Sequence, residues 1–162
     1  MNQKLSNLAS VAEIISSIAV VITLIFLTLG IRENTEVTRV ATYDRNIDSL
    51  NEARGWIANS PELSTLYRAF LNDETATIEE PRITQLNLLM NAMFGVYEKS
   101  YFAYQYGHIG ESEWGRFDMQ ICIQYSHMMT GQPILIESLR RSSAPEFLDY
   151  IEANCMTGAT PQ

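Results

Sequence analysis

A continuous run of apolar residues near the start of the chain constrains its structure more than any other feature. The eighteen residues from Ile14 to Ile31 carry no charge, and their polar members are four hydroxyl residues, Ser16, Ser17, Thr23 and Thr28. A hydroxyl in a helix can donate a hydrogen bond to a backbone carbonyl one turn earlier, so it needs no other partner in lipid. A helix of this length is about 27 Å long, close to the thickness of the hydrocarbon layer. The run predicts one transmembrane helix that anchors the chain in a lipid bilayer.

Two other interpretations fit this run less well. A cleaved signal peptide has a positively charged start and small residues at its cleavage site, whereas Glu13 precedes the run and Thr28-Leu29-Gly30 is a poor site. The core helix of a soluble domain would carry a polar face, and the run has none. We therefore expect the helix to remain as an anchor.

The cations that flank the anchor predict its orientation. Lys4 lies before it, whereas Arg32, Arg39 and Arg45 follow it within about fifteen residues. Cytoplasmic flanks carry the excess of Lys and Arg, so this distribution favours a C-terminal domain in the cytoplasm.

Small residues recur along the anchor at alternating spacings of three and four, which places them on one helix face. We call this set, of which six of the seven members are small, the small-residue face: Ala9, Ala12, Ser16, Ala19, Thr23, Phe26 and Gly30. Small side chains let another helix backbone approach closely, and such contacts drive association in lipid. The alternative is chance, because these residue types are common in any span. The anchor contains no ionisable residue, which argues against a proton relay or a histidine-ligated haem within it.

The rest of the chain predicts an all-α fold in which the anchor continues as a stalk and leads to a small soluble helical bundle. Apolar residues at helical spacing and Pro or Gly breaks indicate helices near 61–71, 78–106, 111–130, 133–141 and 145–154. Ser60 is the expected N-cap of the first, Thr77 and Glu80 have capping-box spacing for the second, and Gly107 is its expected C-cap. The predicted organisation is an anchor at 1–31, a stalk at 32–58, a bundle at 59–156 and a flexible tail at 157–162.

The charge of the chain excludes one class of partner. The net charge is −8, and Arg140-Arg141 is the only adjacent pair of cations. Binding to nucleic acid requires clustered Lys and Arg that neutralise phosphates, so we expect no nucleic-acid partner. A polybasic strip for anionic lipid headgroups is missing as well.

The residues that most often carry chemistry do not form a recognisable site. Cys122 and Cys155 lack metal-binding spacing, and we expect two buried thiols, with a disulfide as the alternative in an oxidising compartment. His108 and Glu111 straddle a helix break, and His127 points away from Cys122 around the helix, so core packing or a solvated turn explains both histidines better than a metal site.

Motifs for catalysis and cofactors are missing as well. The sequence contains no nucleophile elbow, P-loop or dinucleotide fingerprint. Glu98 lies between tyrosines in a long helix, and we expect it to be solvated or ion-paired at the surface. The chain is therefore predicted to be non-enzymatic and to hold no cofactor and no metal.

Aromatic residues are the densest feature of the predicted bundle. They include Tyr97, Tyr101, Phe102, Tyr104 and Tyr106 in one helix and Trp114 in the next. Rings at this spacing usually form core. The alternative is that Tyr97, Tyr101, Tyr104 and Trp114 line a ligand site or an interface.

Several short motifs resemble a group of bacterial single-pass membrane proteins. The resemblance is carried by Ala12-Glu13-Ile14-Ile15-Ser16-Ser17-Ile18-Ala19-Val20-Val21 and by Ile31-Arg32-Glu33-Asn34-Thr35, with weaker matches at Tyr97-Glu98, at Gly107 with Trp114, and at Pro145-Glu146-Phe147. Leu29-Gly30 stands where the group has a bulkier aliphatic residue and Gln. The resemblance implies the inner membrane of a bacterium and the same architecture, and it brings no activity with it.

These observations lead to two functional hypotheses. The first is a non-enzymatic accessory or assembly subunit whose small-residue face packs against transmembrane helices of a larger complex or against a second copy. The second is a membrane-tethered sensor or small-ligand receptor with an apolar cavity near Tyr97 and Tyr101. An enzyme with an unfamiliar site is a weaker third.

Overall fold

The computed structural model describes residues 2–131 and 133–155, with side chains from residue 13 onward. Most of these residues are helical and none lies in a strand, so the predicted all-α fold is confirmed. A 3-10 turn at Thr75–Thr77 joins the second and third of six α-helices: α1 (Asn2–Asn59), α2 (Pro61–Leu71), α3 (Glu80–Gln105), α4 (Glu111–Thr130), α5 (Pro133–Ser142) and α6 (Pro145–Cys155). The predicted tail at 157–162 lies outside the described residues.

The chain divides into two compact units, Met1–Thr38 and Arg39–Gln162. In the first unit, α1 is long and apolar enough to cross a membrane, and none of its most apolar stretch is buried within the chain. The hydroxyls of Ser17, Thr23 and Thr28 donate to backbone carbonyls four residues earlier, at 2.8 to 2.9 Å. These bonds satisfy the hydroxyls within the helix, as predicted.

The core of the second unit forms between α3 and α4, because each helix presents one apolar stripe. Residues of both stripes are buried as the spacing predicted: Ile83, Leu86, Met90, Phe94, Tyr97 and Tyr101 on α3, and Trp114, Phe117, Ile121, Tyr125 and Met128 on α4. Apolar residues of α2, α5 and α6 pack onto these stripes, among them Phe70, Leu135 and Phe147.

The C-terminal third of α1 belongs to the bundle. Leu50 and Ala53 are buried in its core, and Tyr43 and Ile47 pack against it. This segment is part of the predicted stalk, whose apolar stripe must pack against another surface. The bundle itself covers that stripe from about Tyr43 onward, whereas Val40 stays exposed.

The ends of α2 and α3 follow local rules that the sequence carries. The N–H of Leu63 donates to the Ser60 hydroxyl at 3.2 Å, which confirms Ser60 as the N-cap of α2. Gly107 adopts φ of 72°, and the N–H of His108 donates to the carbonyl of Ala103 at 2.7 Å. This is a Schellman motif, in which Gly107 directly follows the C-cap residue Tyr106 and adopts the left-handed conformation that favours glycine, so the prediction that Gly107 ends α3 is confirmed.

The predicted capping box at Thr77 and Glu80 is wrong. Thr77 lies in the 3-10 turn, and its hydroxyl donates to the carbonyl of Glu74 at 2.8 Å instead of capping a helix. Helix α3 begins at Glu80 with Glu79 at the N-cap, and no side chain caps it. The short turn after α2 takes up Thr77, which sequence spacing alone does not reveal.

Candidate functional site

The small-residue face lies on the exposed surface of α1. Ser16, Ala19, Thr23, Phe26 and Gly30 are all exposed, and a methyl group added at Gly30 would meet no atom within 4 Å. The side chains of Ala9 and Ala12 lie outside those described. From Ile14 to Ile31, the apolar surface of α1 is exposed and can contact lipid or another helix.

Three of the four predicted aromatic site residues lie together, and they pack as core. The ring of Trp114 stacks on Tyr104 at 5.4 Å between centroids and lies 5.9 Å from Tyr101 and 5.6 Å from Tyr150. Trp114 and Tyr101 are only 5% and 9% exposed, and Tyr104 is half-buried. Edge-to-face and offset contacts of this kind stabilise a core beyond the area that they bury.

Tyr97 lies in a buried polar pair. The Nε2 atom of Gln124 donates to the Tyr97 hydroxyl at 2.8 Å, and the second hydroxyl within its reach is that of Tyr67, at 3.5 Å. Burial raises the pKa of Tyr97, with a smaller raising effect from Tyr67, so its hydroxyl stays neutral. The cavities described below are lined by residues other than Tyr97 and Tyr101.

Glu98 caps a helix in place of lying free or ion-paired, which corrects the sequence prediction. Its Oε1 atom accepts a hydrogen bond from the N–H of Ala144 at 2.7 Å, and its side chain is half-buried. Ala144 directly precedes Pro145, the first residue of α6, so the carboxylate lies at the positive end of that helix. The residue fixes α6 to α3 and has a structural task.

Cys122 and Cys155 form a disulfide, so the prediction of two buried thiols is wrong. The bond joins α4 to the last residue of α6, with 4.9 Å between the Cα atoms and 33 residues between the partners. Both residues are half-buried. Disulfides persist in oxidising compartments and are rare in the cytosol, so the bond bears on which side of a membrane the bundle occupies.

A polar cluster that the sequence did not predict joins the turn after α2 to α4. The Asp73 carboxylate accepts from the Thr130 hydroxyl at 2.6 Å and lies 2.9 Å from Nδ1 of His127. The bond from Thr130 is the largest cause that lowers the pKa of Asp73, followed by the bond from His127. Asp73 adopts φ of 57°, and the N–H of Glu74 donates to the carbonyl of Ala69 at 2.8 Å. The cluster therefore holds Asp73 in the left-handed conformation that follows the end of α2.

The remaining candidate metal ligand, His108, lies exposed in the turn after α3, and its ring centroid is 6.5 Å from that of Tyr106. Within the described part of the chain, no three His, Cys, Asp or Glu residues are grouped as a metal site would require.

Cavities open at several places on the bundle surface, and two of them have volumes of about 450 and 500 Å³. One of about 450 Å³ is lined by residues that include Trp56, Leu63 and Leu88. The other, of about 500 Å³, lies between α1 and α4, and two arginines, Arg54 and Arg116, line it together with apolar side chains. We call the second cavity the arginine groove. Sequence reasoning could not find it, because its two cations are 62 positions apart.

An unpaired amide lies in the core near α1. Asn46 is fully buried, and neither its Oδ1 nor its Nδ2 atom has a hydrogen-bond partner among the described residues. A buried amide without partners costs free energy, so this position lowers the stability of the bundle.

Comparison of the chain with protein-family models, with curated proteins and with solved structures finds no match. Inferences about function therefore rest on the chain itself.

Proposed function

We propose that this protein is a single-pass membrane protein that serves as a non-enzymatic accessory or assembly subunit. Its partners are transmembrane helices of a larger complex or a second copy of itself. The observation that carries the proposal is that the apolar part of α1 is exposed along its length, while the hydroxyls of Ser17, Thr23 and Thr28 are already satisfied by its own backbone. In lipid, such a helix gains from contact with another helix where small residues allow close approach. Gly30, which has open space around it, marks the closest point of approach.

The alternative of a ligand receptor at Tyr97 and Tyr101 has less support. A ligand that reached these residues would have to displace core rings, because Tyr97 is 0% exposed and Tyr101 contacts four other rings. A small-ligand role would need a cavity outside this cluster.

Two matched triple variants test the packing proposal. The test variant, Ser16→Leu with Thr23→Leu and Gly30→Leu, blocks the small-residue face. The control variant, Ser17→Leu with Val21→Leu and Thr28→Leu, places three leucines on the opposite face of the helix.

The full chain would be tagged, expressed in a bacterial inner membrane, extracted in mild detergent and captured. Partners would be identified by mass spectrometry, and a second copy by a different tag. We expect partners with the wild type and the control, and their loss with the test variant. A wild-type protein that is captured alone, or a test variant with unchanged partners, would refute the proposal.

We also propose that the bundle faces the oxidising side of the membrane. The flanking arginines favour the cytoplasm, but the excess is three cations to one, whereas a disulfide between half-buried cysteines is hard to keep in a reducing cytosol. Alkaline phosphatase folds only outside the cytoplasm and green fluorescent protein fluoresces only inside it, so C-terminal fusions to each distinguish the two sides. An active phosphatase fusion is the expected result, and a fluorescent second fusion with inactive phosphatase would place the bundle in the cytoplasm.

A further inference from the structure

The arginine groove has an apolar floor with two positive charges. Ile47 and Leu50 of α1 and Phe117 and Met119 of α4 line it. Leu50 and Phe117 are almost fully buried, Ile47 is half-buried, and Met119 is 51% exposed. Apolar surface that remains open to solvent next to cations favours a ligand with an apolar body and an anionic end.

The two guanidinium groups are available to such a ligand. Arg54 and Arg116 are both exposed at the groove, and the one hydrogen bond described for Arg116 is donated to the hydroxyl of Tyr43, at 3.1 Å. The ion pairs described in the bundle use other cations, namely His127, Arg140 and Arg141. The chain has 19 acidic residues and 11 Lys and Arg residues, yet the lining of this groove contains two arginines and no carboxylate. The groove is therefore electrostatically complementary to an anion.

The size of the groove selects among anionic amphiphiles. At about 30 Å³ for each water-sized group, about 500 Å³ holds roughly sixteen non-hydrogen atoms. That is enough for one acyl chain of medium length with its carboxylate, and far too little for a phospholipid with two chains. We propose that the arginine groove binds a free medium-chain fatty acid, with the carboxylate held by Arg54 and Arg116 and the chain against the apolar floor.

Decanoate labelled with ¹³C at its carboxyl carbon is the probe. The full chain would be placed in nanodiscs of phosphatidylcholine, and the shift of the carboxyl resonance would be titrated against empty nanodiscs, with decanol and decyltrimethylammonium as uncharged and cationic competitors. We expect saturable binding of labelled decanoate. Decanol should displace it at least tenfold less well than unlabelled decanoate does, and decyltrimethylammonium should not displace it.

Two variants locate the site. Arg54→Gln with Arg116→Gln removes both charges, and we expect the affinity for decanoate to fall tenfold or more, because a hydrogen bond to a charged group is among the strong ones. Arg68→Gln with Arg82→Gln removes the same net charge elsewhere on the bundle, and we expect it to bind as the wild type does. Met119→Trp fills the groove without touching a charge, and we expect it to weaken binding while circular dichroism remains that of the wild type.

Equal affinities of the two double variants would overturn the proposal, and so would unchanged binding by the Met119→Trp variant. Nanodiscs of phosphatidylglycerol separate the sources of the anion. If the wild type bound decanoate in phosphatidylcholine and not in phosphatidylglycerol, the anionic lipid would occupy the site and the free-acid proposal would be wrong.

Discussion

Removal of the Cys122–Cys155 bond is expected to lower the free energy of unfolding of the bundle by about 3.7 kcal/mol. The bond closes a loop with a sequence separation of 33 residues. In the chain-entropy model a loop of that length removes about 12.5 cal/mol/K from the unfolded chain, which is about 3.7 kcal/mol at 25 °C. Small domains are stable by roughly 5–15 kcal/mol in total, so the loss would be a large share of the stability.

Replacement of both cysteines by alanine provides the test. Urea unfolding of the full chain in mild detergent can be followed by the fluorescence of Trp114, which is 5% exposed. The second tryptophan, Trp56, is 47% exposed and would be replaced by Phe in every sample. With a urea dependence of about 1.5 kcal/mol/M, the midpoint should fall by roughly 2.5 M.

A matched sample separates the bond from the side chains. The wild type treated with reductant should unfold close to the double alanine variant, because both lack the loop constraint. Mass spectrometry would verify the bond in the oxidised wild type. If the reduced wild type or the double alanine variant unfolded within about 0.5 M of that sample, the entropy reasoning would be refuted.

Three further changes are expected to alter stability by different mechanisms. Glu98→Ala should cost about 1–2 kcal/mol, since the N–H that it accepts from loses its partner, and urea unfolding measures this. Asn46→Leu should raise stability by about 1–2 kcal/mol, because it removes a buried amide without partners. Asp73→Asn should be less stable than the wild type at neutral pH. Because folding lowers the pKa of Asp73, that difference should shrink as the pH falls from 5 to 3.

Each of these changes has a matched control. Glu137→Ala breaks an exposed ion pair with Arg141 and should cost less than about 0.5 kcal/mol. Asn51→Leu places the same apolar side chain at an exposed position of α1 and should not stabilise. Asp44→Asn removes the same charge at an exposed position of α1 and should change stability less than Asp73→Asn does at neutral pH. If a control matched its test variant, or if the Asp73→Asn difference grew in acid, the corresponding contact would not act as described.

The parts of the fold that the sequence predicted are those set by periodicity and by local backbone rules. The α3 and α4 stripes are buried because residues at spacings of three and four share a helix face, whatever covers them. Gly107 and Ser60 end or cap a helix through backbone groups only a few residues away, so the sequence predicts their roles. The same locality explains the failure at Thr77, where the preceding turn competed for the hydroxyl.

The parts that the sequence did not predict depend on pairs that are distant along the chain. Glu98 and Ala144 are 46 positions apart, and a carboxylate between two tyrosines gives no sign of a helix end that approaches it. The arginine groove likewise needs α1 and α4 to lie side by side. Spacing within one helix predicts which residues are buried, but it does not reveal which neighbour covers them.

The membrane side and the stability of the bundle are linked through the cysteines. Helix α6 is held to α4 by the disulfide and by a second contact, in which the Tyr150 hydroxyl donates to Asp118 at 2.8 Å. On the reducing side of a membrane the first would be lost, and α6 would depend on the second, on the Glu98–Ala144 hydrogen bond, on the Arg140–Glu152 ion pair and on the packing of Phe147 and Ile151. Reduction should therefore lower the free energy of unfolding of a Tyr150→Phe variant below that of the same variant with the disulfide intact. A bundle that stayed folded when reduced, with Tyr150 replaced, would have no physical need for an oxidising compartment, and the orientation would have to be argued from the flanking arginines alone.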